Sequence, residues 1–287
     1  MIQKLKNTIL TRKNDKNILI DYFFKKNDQP KPVVIFCHGY KGFKDWGAWN
    51  LVAEAFAAAD CFFVKFNFSH NGGTMQQPID FPDLEAFGEN NYSKELNDLH
   101  YVINHIISDT FVHSAEANTQ YISLIGHSRG GGIVTIKAAE EPKITQLISW
   151  AGVCDYATRF PKGKALEDWK NSGVFYVVNG RTKQEMPHFY QFFEDFQSNS
   201  TRLNIESAAK NIEIPHLLIH GTTDTAVPVE EAKKIQQWNP KSKLQLIENA
   251  DHVFGARHPW KETKLPKDLQ EVVETTIEFI KKQKSES

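Results

Sequence analysis

A serine flanked by glycines is the feature of this chain with the clearest chemical consequence. The pentapeptide Gly126-His-Ser-Arg-Gly130 stands between an apolar run at Tyr121–Ile125 and a helix-forming run at Ile133–Glu140. A Gly-x-Ser-x-Gly at a strand-to-helix junction makes a turn so tight that side chains at its glycine positions would collide with their neighbours. Such a turn leaves Ser128 exposed at the carboxyl end of the strand, in front of a helix N-terminus. The motif therefore predicts that Ser128 is a nucleophile.

A serine hydroxyl is a weak nucleophile unless a base removes its proton and an acid orients that base. In a parallel sheet, the groups that meet the serine should follow other strands at the same edge. Asp224 and His252 lie in loops that follow two later apolar runs, Leu217–Ile219 and Leu244–Ile247. We therefore expect Asp224 to be the acid and His252 the base, with Asp251 as the alternative acid. The order Ser, Asp, His is that of α/β-hydrolases.

An acyl transfer also needs hydrogen-bond donors for the oxyanion that forms on the substrate carbonyl. The backbone N–H of Arg129, directly after the serine, is one candidate. The loop after the third strand reads His38-Gly-Tyr-Lys-Gly42, and a sharp bend at Gly39 would turn the N–H of Tyr40 toward the serine. We expect these two amides to form the oxyanion hole, which leaves the side chains of Tyr40 and Arg129 available for other contacts.

The composition excludes several classes of partner. In 287 residues, 34 lysines and arginines balance 35 aspartates and glutamates, without a basic stripe or an acidic tail. Nucleic acid and charged membrane surfaces are therefore not expected, and no segment has transmembrane length or the pattern of a leader. Four histidines, at 38, 70, 127 and 220, fall near predicted strand ends, but those loops already have turn and elbow roles, so we expect no metal site. The serine chemistry needs no cofactor, and none is expected. Cys37, Cys61 and Cys154 lie in apolar segments, which favours buried, reduced thiols and a cytoplasmic protein.

Strand and helix patterns alternate along the chain, after an opening hairpin at Lys4–Arg12 and Ile18–Phe24. The later predicted strands are Val33–Cys37, Cys61–Phe68, Tyr121–Ile125, Ile144–Ala151, His216–His220 and Leu244–Ile247. The predicted helices are Trp46–Ala59 with Asp45 as its N-cap, Tyr92–Ile107, Ile133–Glu140, Val229–Trp238 and Asp268–Lys281. This order predicts the α/β class: a mostly parallel eight-stranded sheet with helices on both faces and an antiparallel hairpin at one edge.

Residues 155–212 interrupt the alternation, and we predict that they form a cap inserted after the sixth strand, between core segments 1–154 and 213–287. An apparent hairpin strand at Val174–Val178 ends in the turn signal Asn179-Gly180, and a helix is predicted at His188–Phe196. The aromatic residues of this segment either pack against each other or line an acyl or aryl pocket over the serine. We predict that the substrate pocket includes Phe43, Phe160, Trp169, Phe189, Phe193 and Phe254.

Taken together, these motifs resemble the α/β-hydrolases, in the bacterial esterase and lysophospholipase-like group near the cinnamoyl/feruloyl esterases, dienelactone hydrolases and serine aminopeptidases. The matching stretches are His38–Gly47, Phe66–Gly72, Gly126–Gly131, His220–Asp224 and Asp251-His252. The resemblance implies the α/β-hydrolase fold, a Ser128–Asp224–His252 triad, the Tyr40 and Arg129 amides, and a small cap. The stretch Phe66-Asn67-Phe68 stands where many relatives carry an aspartate or arginine, and the cap matches no substrate-defining pattern, which leaves the substrate open.

Three classes of function remain in competition at this point. The leading hypothesis is a cofactor-free serine hydrolase that cleaves a small apolar or aryl carboxylic ester through an acyl-enzyme. A serine aminopeptidase would need an acidic pocket for the substrate amine, for which Glu194, Asp195 and Glu206 are candidates, and a thioesterase would use the same chemistry. The third class is a hydrolase-fold binding protein without catalysis. The expected partner is a small-molecule ester, and a homodimer is left open.

Overall fold

Ten strands form two sheets in the computed structural model, which describes residues 1–286 of the chain. They are β1 (Ile2–Leu10), β2 (Ile18–Lys25), β3 (Lys31–Cys37), β4 (Phe62–Phe66), β5 (Ala117–His127), β6 (Gln146–Trp150), β7 (Val174–Val178), β8 (Glu185–Phe189), β9 (His216–Gly221) and β10 (Lys243–Ile247). Eight strands form one sheet in the order β1-β2-β4-β3-β5-β6-β9-β10, and β7 pairs with β8 in a separate antiparallel hairpin. Within the large sheet β2 runs antiparallel to β1 and β4, and the other pairs are parallel. The predicted topology is therefore confirmed.

Helices cover both faces of the large sheet. They are α1 (Trp49–Ala58), α2 (Leu84–Gly88), α3 (Tyr92–Ile107), α4 (Arg129–Glu140), α5 (Lys164–Ser172), α6 (Gln191–Ser198), α7 (Ile205–Lys210), α8 (Val229–Trp238) and α9 (Lys267–Glu286), with a 3-10 turn at Ala157–Arg159. Along β3, Val33 and Ile35 pack into the core that includes α3 and α4, whereas Val34 and Phe36 pack into the core that includes α1 and α9. Because successive strand residues point to opposite faces, one continuous apolar run supplies both cores.

The start of α1 differs from the sequence prediction. The helix begins at Trp49 rather than Trp46, and Ala48 occupies the N-cap position without a side-chain capping hydrogen bond. Asp45 is therefore not the N-cap, because its carboxylate has stronger partners in the protein interior. It accepts hydrogen bonds from the ammonium groups of Lys44 at 2.6 Å and Lys65 at 2.8 Å.

A buried network of four charged side chains holds the loop between β3 and α1. Asp21 on β2 accepts hydrogen bonds from the same two ammonium groups, at 2.9 Å from Lys44 and 2.7 Å from Lys65. Asp21, Lys44, Asp45 and Lys65 are all buried, so each charge depends on the others for compensation. The network ties the loop that carries Tyr40 to the strands β2 and β4 beneath it.

Residues between β6 and β9 form the segment that interrupts the strand and helix alternation, and one of two local predictions there is confirmed. The predicted strand Val174–Val178 is β7 and pairs with β8 in a hairpin, whose connection begins at Asn179-Gly180. The connection is longer than a two-residue turn and runs over residues 179–184, where Asn179 Oδ1 accepts hydrogen bonds from the N–H groups of Arg181 and Thr182. The helix predicted at His188–Phe196 is divided, since residues up to Phe189 belong to β8 and α6 begins at Gln191.

The three cysteines are buried, as their apolar surroundings predict. Burial raises the pKa of the Cys37 thiol well above its ordinary value and that of Cys154 to about 12. Both groups are therefore held as unreactive thiols at neutral pH. Among the described residues, no helix combines the length and the apolar composition that crossing a bilayer requires.

Candidate active site

Ser128 occupies the turn between β5 and α4 in a conformation that L-residues rarely adopt, with φ of 57° and ψ of −121°. The turn requires glycine at both of its flanking positions, because the surrounding backbone leaves no room for a side chain there. A Cβ on Gly126 would lie 2.2 Å from the carbonyl oxygen of Gly130, and one on Gly130 would lie 2.5 Å from that of Cys37. Real contacts are never this short, so the predicted steric reason for both glycines is confirmed.

The side chains of Ser128, His252 and Asp224 form a continuous hydrogen-bonded row. His252 Nε2 lies 3.0 Å from Ser128 Oγ, and His252 Nδ1 lies 2.7 Å from Asp224 Oδ2. Each residue comes from a loop at the carboxyl end of a parallel strand, after β5, β9 and β10. Asp251, the alternative acid, instead accepts hydrogen bonds from the N–H groups of Val253 and Gly255 in its own loop.

The carboxylate of Asp224 has four hydrogen-bonding neighbours. Its Oδ1 accepts from the N–H groups of Ala226 at 2.8 Å and Val227 at 2.9 Å. His220 Nε2, which donates to the carbonyl of Val227, also lies 3.3 Å from Asp224 Oδ2. Burial by itself would raise the pKa of Asp224, but the hydrogen bonds from His220, His252 and Val227 hold it well below its ordinary value. Asp224 is therefore ionised at neutral pH.

His220 is a neighbour of Asp224 that the sequence analysis did not single out. It lies four residues before Asp224 at the end of β9, and that spacing is the one signal that could have indicated the contact. Within the part of the chain that the structure describes, no group of three or more histidine, cysteine, aspartate or glutamate side chains is arranged to hold a metal ion.

The two amides expected to hold an oxyanion lie in the segments that border Ser128. A Cβ on Gly39 would stand 2.8 Å from Ser128 Cβ, so the Tyr40 loop passes directly against the serine. Arg129 is the first residue of α4, where backbone N–H groups lack intrahelical acceptors. Among the groups that the structure describes, neither the Tyr40 N–H nor the Arg129 N–H donates a hydrogen bond. Both donors are free to meet a ligand.

Two cavities meet at Ser128, and both are also bordered by Tyr40, Lys41 and His252. The larger has a volume of about 460 Å³ and is lined mainly by apolar and aromatic side chains of the core and of the segment after β6. Its aromatic residues include Tyr92, Tyr156, Phe160, Trp169, Phe175 and Phe192. The smaller, of about 190 Å³, is lined by residues that include Gly42, Trp46, Trp49 and His127. The serine thus has room for a substituent in each of two directions.

Only part of the predicted pocket lines the larger cavity. Phe160 and Trp169 line it, whereas Phe43, Phe189, Phe193 and Phe254 are not among the described residues that do. Phe43 is buried in a separate cluster with Phe81 and Phe87, and Phe254 lies in the core under the opposite face of the sheet. Phe193 packs against the rings of Phe160 and Tyr190.

Strand geometry explains the error at Phe189. The prediction assumed helical spacing from His188 onward, but both residues lie on β8, where neighbours point to opposite faces. His188 pairs with Phe175 on β7, and these two side chains face the cavity. Phe189 therefore points the other way, and its ring packs so closely on Gly88 that a Cβ there would lie 2.8 Å from it.

The side chain of Arg129 lies in an aromatic enclosure in the wall of the larger cavity. Its guanidinium carbon is 4.4 Å from the ring centre of Tyr40, 5.3 Å from that of Tyr92 and 5.4 Å from that of Phe192. One terminal nitrogen lies 3.3 Å from a carboxylate oxygen of Glu95. Burial raises the pKa of Glu95, while the Arg129 charge acts in the opposite direction. The sequence did not indicate these contacts, which join residues of separate elements.

Comparison with known proteins identifies the family of the chain. The Esterase family model matches residues 14–271. Monoacylglycerol lipase ABHD6 of Mus musculus is 22% identical over 291 residues, which cover 89% of this chain and 80% of that protein. Est1E from Butyrivibrio proteoclasticus with bound ferulic acid has a TM-score of 0.71 at 18% identity, with coverage of 97% of this chain and 99% of that chain. Mouse alpha/beta hydrolase domain-containing protein 10 has a TM-score of 0.67 at 19% identity, with coverage of 96% of this chain and 98% of that chain. These likenesses confirm the α/β-hydrolase fold.

Proposed function

The chain belongs to the Esterase family and is a carboxylic ester hydrolase, and from this premise we propose that Ser128 is its nucleophile, His252 its base and Asp224 its acid. The observation that carries the proposal is the hydrogen-bonded row from Asp224 through both ring nitrogens of His252 to Ser128 Oγ. The depressed pKa of Asp224 supports the same assignment, because an ionised carboxylate stabilises the imidazolium that forms during attack.

In the proposed reaction, His252 Nε2 takes the proton of Ser128 as its Oγ bonds to the ester carbonyl carbon. The carbonyl oxygen becomes an oxyanion that accepts hydrogen bonds from the N–H groups of Tyr40 and Arg129. The C–O bond to the leaving alcohol then breaks, and His252 gives its proton to that oxygen. A water molecule attacks the acyl-enzyme by the same steps and releases the carboxylic acid and free Ser128. Each oxyanion donor contributes about 3 kcal/mol to transition-state stabilisation.

The proposed substrate is an ester with an apolar or aryl part, and residues 155–212 act as a cap over it. The aromatic lining of the larger cavity supports this, because an aromatic or acyl group loses water contact against such a wall. The smaller cavity would take the other side of the ester. Est1E binds ferulic acid, and the ABHD6 relative is a monoacylglycerol lipase. Ferulic acid and monoacylglycerols both contain a large apolar part.

An aminopeptidase is less well supported than an esterase. A substrate amine would need a carboxylate partner, but no aspartate or glutamate among the described residues lines the larger cavity. Asp195 instead accepts a hydrogen bond from Ser93, and Glu206 pairs with Lys210. Two of the three candidates for an acidic pocket are therefore engaged elsewhere, and Glu194, the third, is exposed on α6.

The test is hydrolysis of a panel of 4-nitrophenyl esters of increasing acyl length, together with an aryl-acid methyl ester and a thioester. We expect the wild-type protein to cleave at least the aromatic or medium-chain members, and Ser128→Ala to lower kcat by about 10⁴-fold or more with an unchanged circular dichroism spectrum. Activity that survives this substitution would contradict the proposed mechanism, and a marked preference for the thioester would favour the thioesterase alternative.

A further inference from the structure

Two cationic side chains converge on one aromatic ring in the larger cavity. The Lys41 ammonium lies 5.0 Å and the Arg129 guanidinium carbon 4.4 Å from the ring centre of Tyr40. The hydroxyl of Tyr40 is hydrogen bonded to His188 Nε2 at 2.7 Å. These four residues, here named the Tyr40 cluster, all line the cavity, and they come from the loop after β3, from α4 and from β8.

The Tyr40 cluster has hydrogen-bonding capacity that the protein does not use. Within the described residues, the contact with Glu95 is the one hydrogen bond made by the five guanidinium N–H donors of Arg129. Lys41 contacts the Tyr40 ring but has no ion pair with a carboxylate among the side chains that the structure describes, although it is half-buried. Arg159 borders the same cavity but is already paired with Glu231.

The charges of the cluster are poorly compensated at neutral pH. Burial lowers the pKa of Lys41, and the nearby charge of Arg129 lowers it further. Burial, followed by the charges of Arg129 and Lys41, lowers the pKa of His188 to about 3, so His188 is neutral. Glu95 balances Arg129, but Lys41 has no such partner, and no acidic side chain among the described residues lines the cavity. A bound anion would relieve this imbalance.

We propose that the ester substrate carries one carboxylate in addition to its scissile ester, and that Lys41 and Arg129 bind this carboxylate in the larger cavity. The inference rests on the proposed function and specifies its substrate class. The planar guanidinium offers paired N–H donors to a carboxylate, and the ammonium of Lys41 adds a point charge. The aryl or acyl part of the substrate then lies against the aromatic wall, with its charged group at the Tyr40 cluster.

The kinetic test compares esters that differ in one negative charge. The first pair is 4-acetoxybenzoate, whose carboxylate is on the alcohol side of the scissile ester, and its neutral methyl ester. The second pair is monomethyl terephthalate, whose carboxylate is on the acyl side, and neutral dimethyl terephthalate. Each rate is corrected for the rate of alkaline hydrolysis. We expect kcat/KM to favour the anionic member of at least one pair by about tenfold, the gain of one charge-assisted hydrogen bond.

Variants assign that preference to the cluster. Lys41→Met should lower the anionic-to-neutral ratio of kcat/KM by about tenfold, and Lys41→Arg should restore most of it. Lys162→Met is the matched control, because it removes the same charge from an exposed position next to Pro161, which lines the cavity. An equal fall of the ratio in this control would show a general field effect and would overturn the assignment to the Tyr40 cluster.

A binding measurement separates this inference from the proposed catalytic function. Calorimetry on Ser128→Ala, which cannot form the acyl-enzyme, should give a dissociation constant about tenfold lower for the anionic member of the favoured pair. If neither pair shows a preference for the anion, in binding or in turnover, the carboxylate site is overturned. In that case, turnover of the neutral esters would still support the proposed hydrolase activity. Tighter binding of the anion without turnover of any ester would instead overturn the catalytic proposal and support the carboxylate site.

Discussion

At the scale of single residues, the proposed triad depends on how Asp224 is held. One carboxylate oxygen accepts the N–H groups of Ala226 and Val227, and the other faces His252 and His220. The bonds from Ala226 and Val227 fix the loop, and the contact with His252 fixes the orientation of the imidazole. Asparagine at this position could keep the loop bonds through its Oδ1, but its NH₂ group cannot accept a hydrogen bond from His252.

Asp224→Asn should therefore lower kcat by about 10⁴-fold while KM changes little and the melting temperature stays close to that of the wild type. Asp251→Asn is the matched control, because Asp251 is exposed and its Oδ1 can keep both of its loop hydrogen bonds as an amide. This control should retain activity within about threefold, as surface substitutions usually do. Kinetics with a 4-nitrophenyl ester measures both variants, and the reverse pattern would assign the acid to Asp251.

The three side chains could be predicted to meet because each follows a parallel strand, and such strand ends share one edge of the sheet. The contacts that support these three side chains could not be predicted in the same way. His220 bonds to the loop of Asp224, and Arg129 contacts Tyr92 and Glu95 of α3, which lie more than thirty positions earlier in the chain. No local pattern in a sequence records which side chains of separate elements will touch.

At the scale of elements, the hairpin of β7 and β8 presents one of its two faces to the larger cavity, and this face decides which of its side chains line it. Phe175 and Val177 on β7 and His188 on β8 face the cavity, whereas Tyr176 and Val178 are exposed on the other side. The aromatic spacing predicts a helix from His188 onward, but His188 and Phe189 lie on a strand, so their side chains point to opposite faces of the hairpin. The periodicity was misjudged because short aromatic runs fit both a strand and a helix.

The helix α6 offers a test of the aromatic wall, since two adjacent phenylalanines have different roles. Phe192 lines the larger cavity, whereas Phe193 is not among the described residues that line it and packs against Phe160 and Tyr190. Phe192→Ala should raise KM for aryl esters by about tenfold, through loss of an aromatic contact and of apolar burial. Phe193→Ala removes the same side chain from the neighbouring position and should lower the melting temperature with little change in KM. If both variants change KM equally, the effect arises from lower stability of the α6 region and not from a lost contact between Phe192 and the substrate.

At the scale of the whole molecule, the large sheet separates two apolar cores, and His216 at its edge strand pair stands out because both of its polar atoms are buried. His216 begins β9, is 2% exposed, and has no hydrogen-bond partner at either ring nitrogen in the described structure. Burial lowers its pKa to about 3. In the unfolded chain the same histidine has an ordinary pKa near 6.5.

The stability of the protein should therefore fall as the pH falls from about 6.5 toward 3, because over this range the unfolded state binds a proton that folded His216 does not. His216→Leu should remove this contribution, so that the variant loses about 2 kcal/mol less stability than the wild type between pH 7.5 and pH 5. Urea unfolding at the two pH values measures the difference.

His216→Gln serves as the control for polarity. It cannot titrate, so its acid dependence should match that of His216→Leu, but its buried amide should make it less stable at both pH values. If both variants keep the acid dependence of the wild type, another group is responsible for it.

The sequence by itself determined the parts of this protein that follow from local sterics and from strand order. The glycines at 126 and 130 exclude side chains whatever surrounds them, and alternating strands and helices bring Ser128, Asp224 and His252 to one sheet edge. Only the tertiary structure decided which aromatic residues line the cavity and that Lys41 and Arg129 converge on Tyr40. These features depend on packing between elements distant in the chain, where the contacts of a side chain are set by the neighbours that fold against it and not by those that precede or follow it.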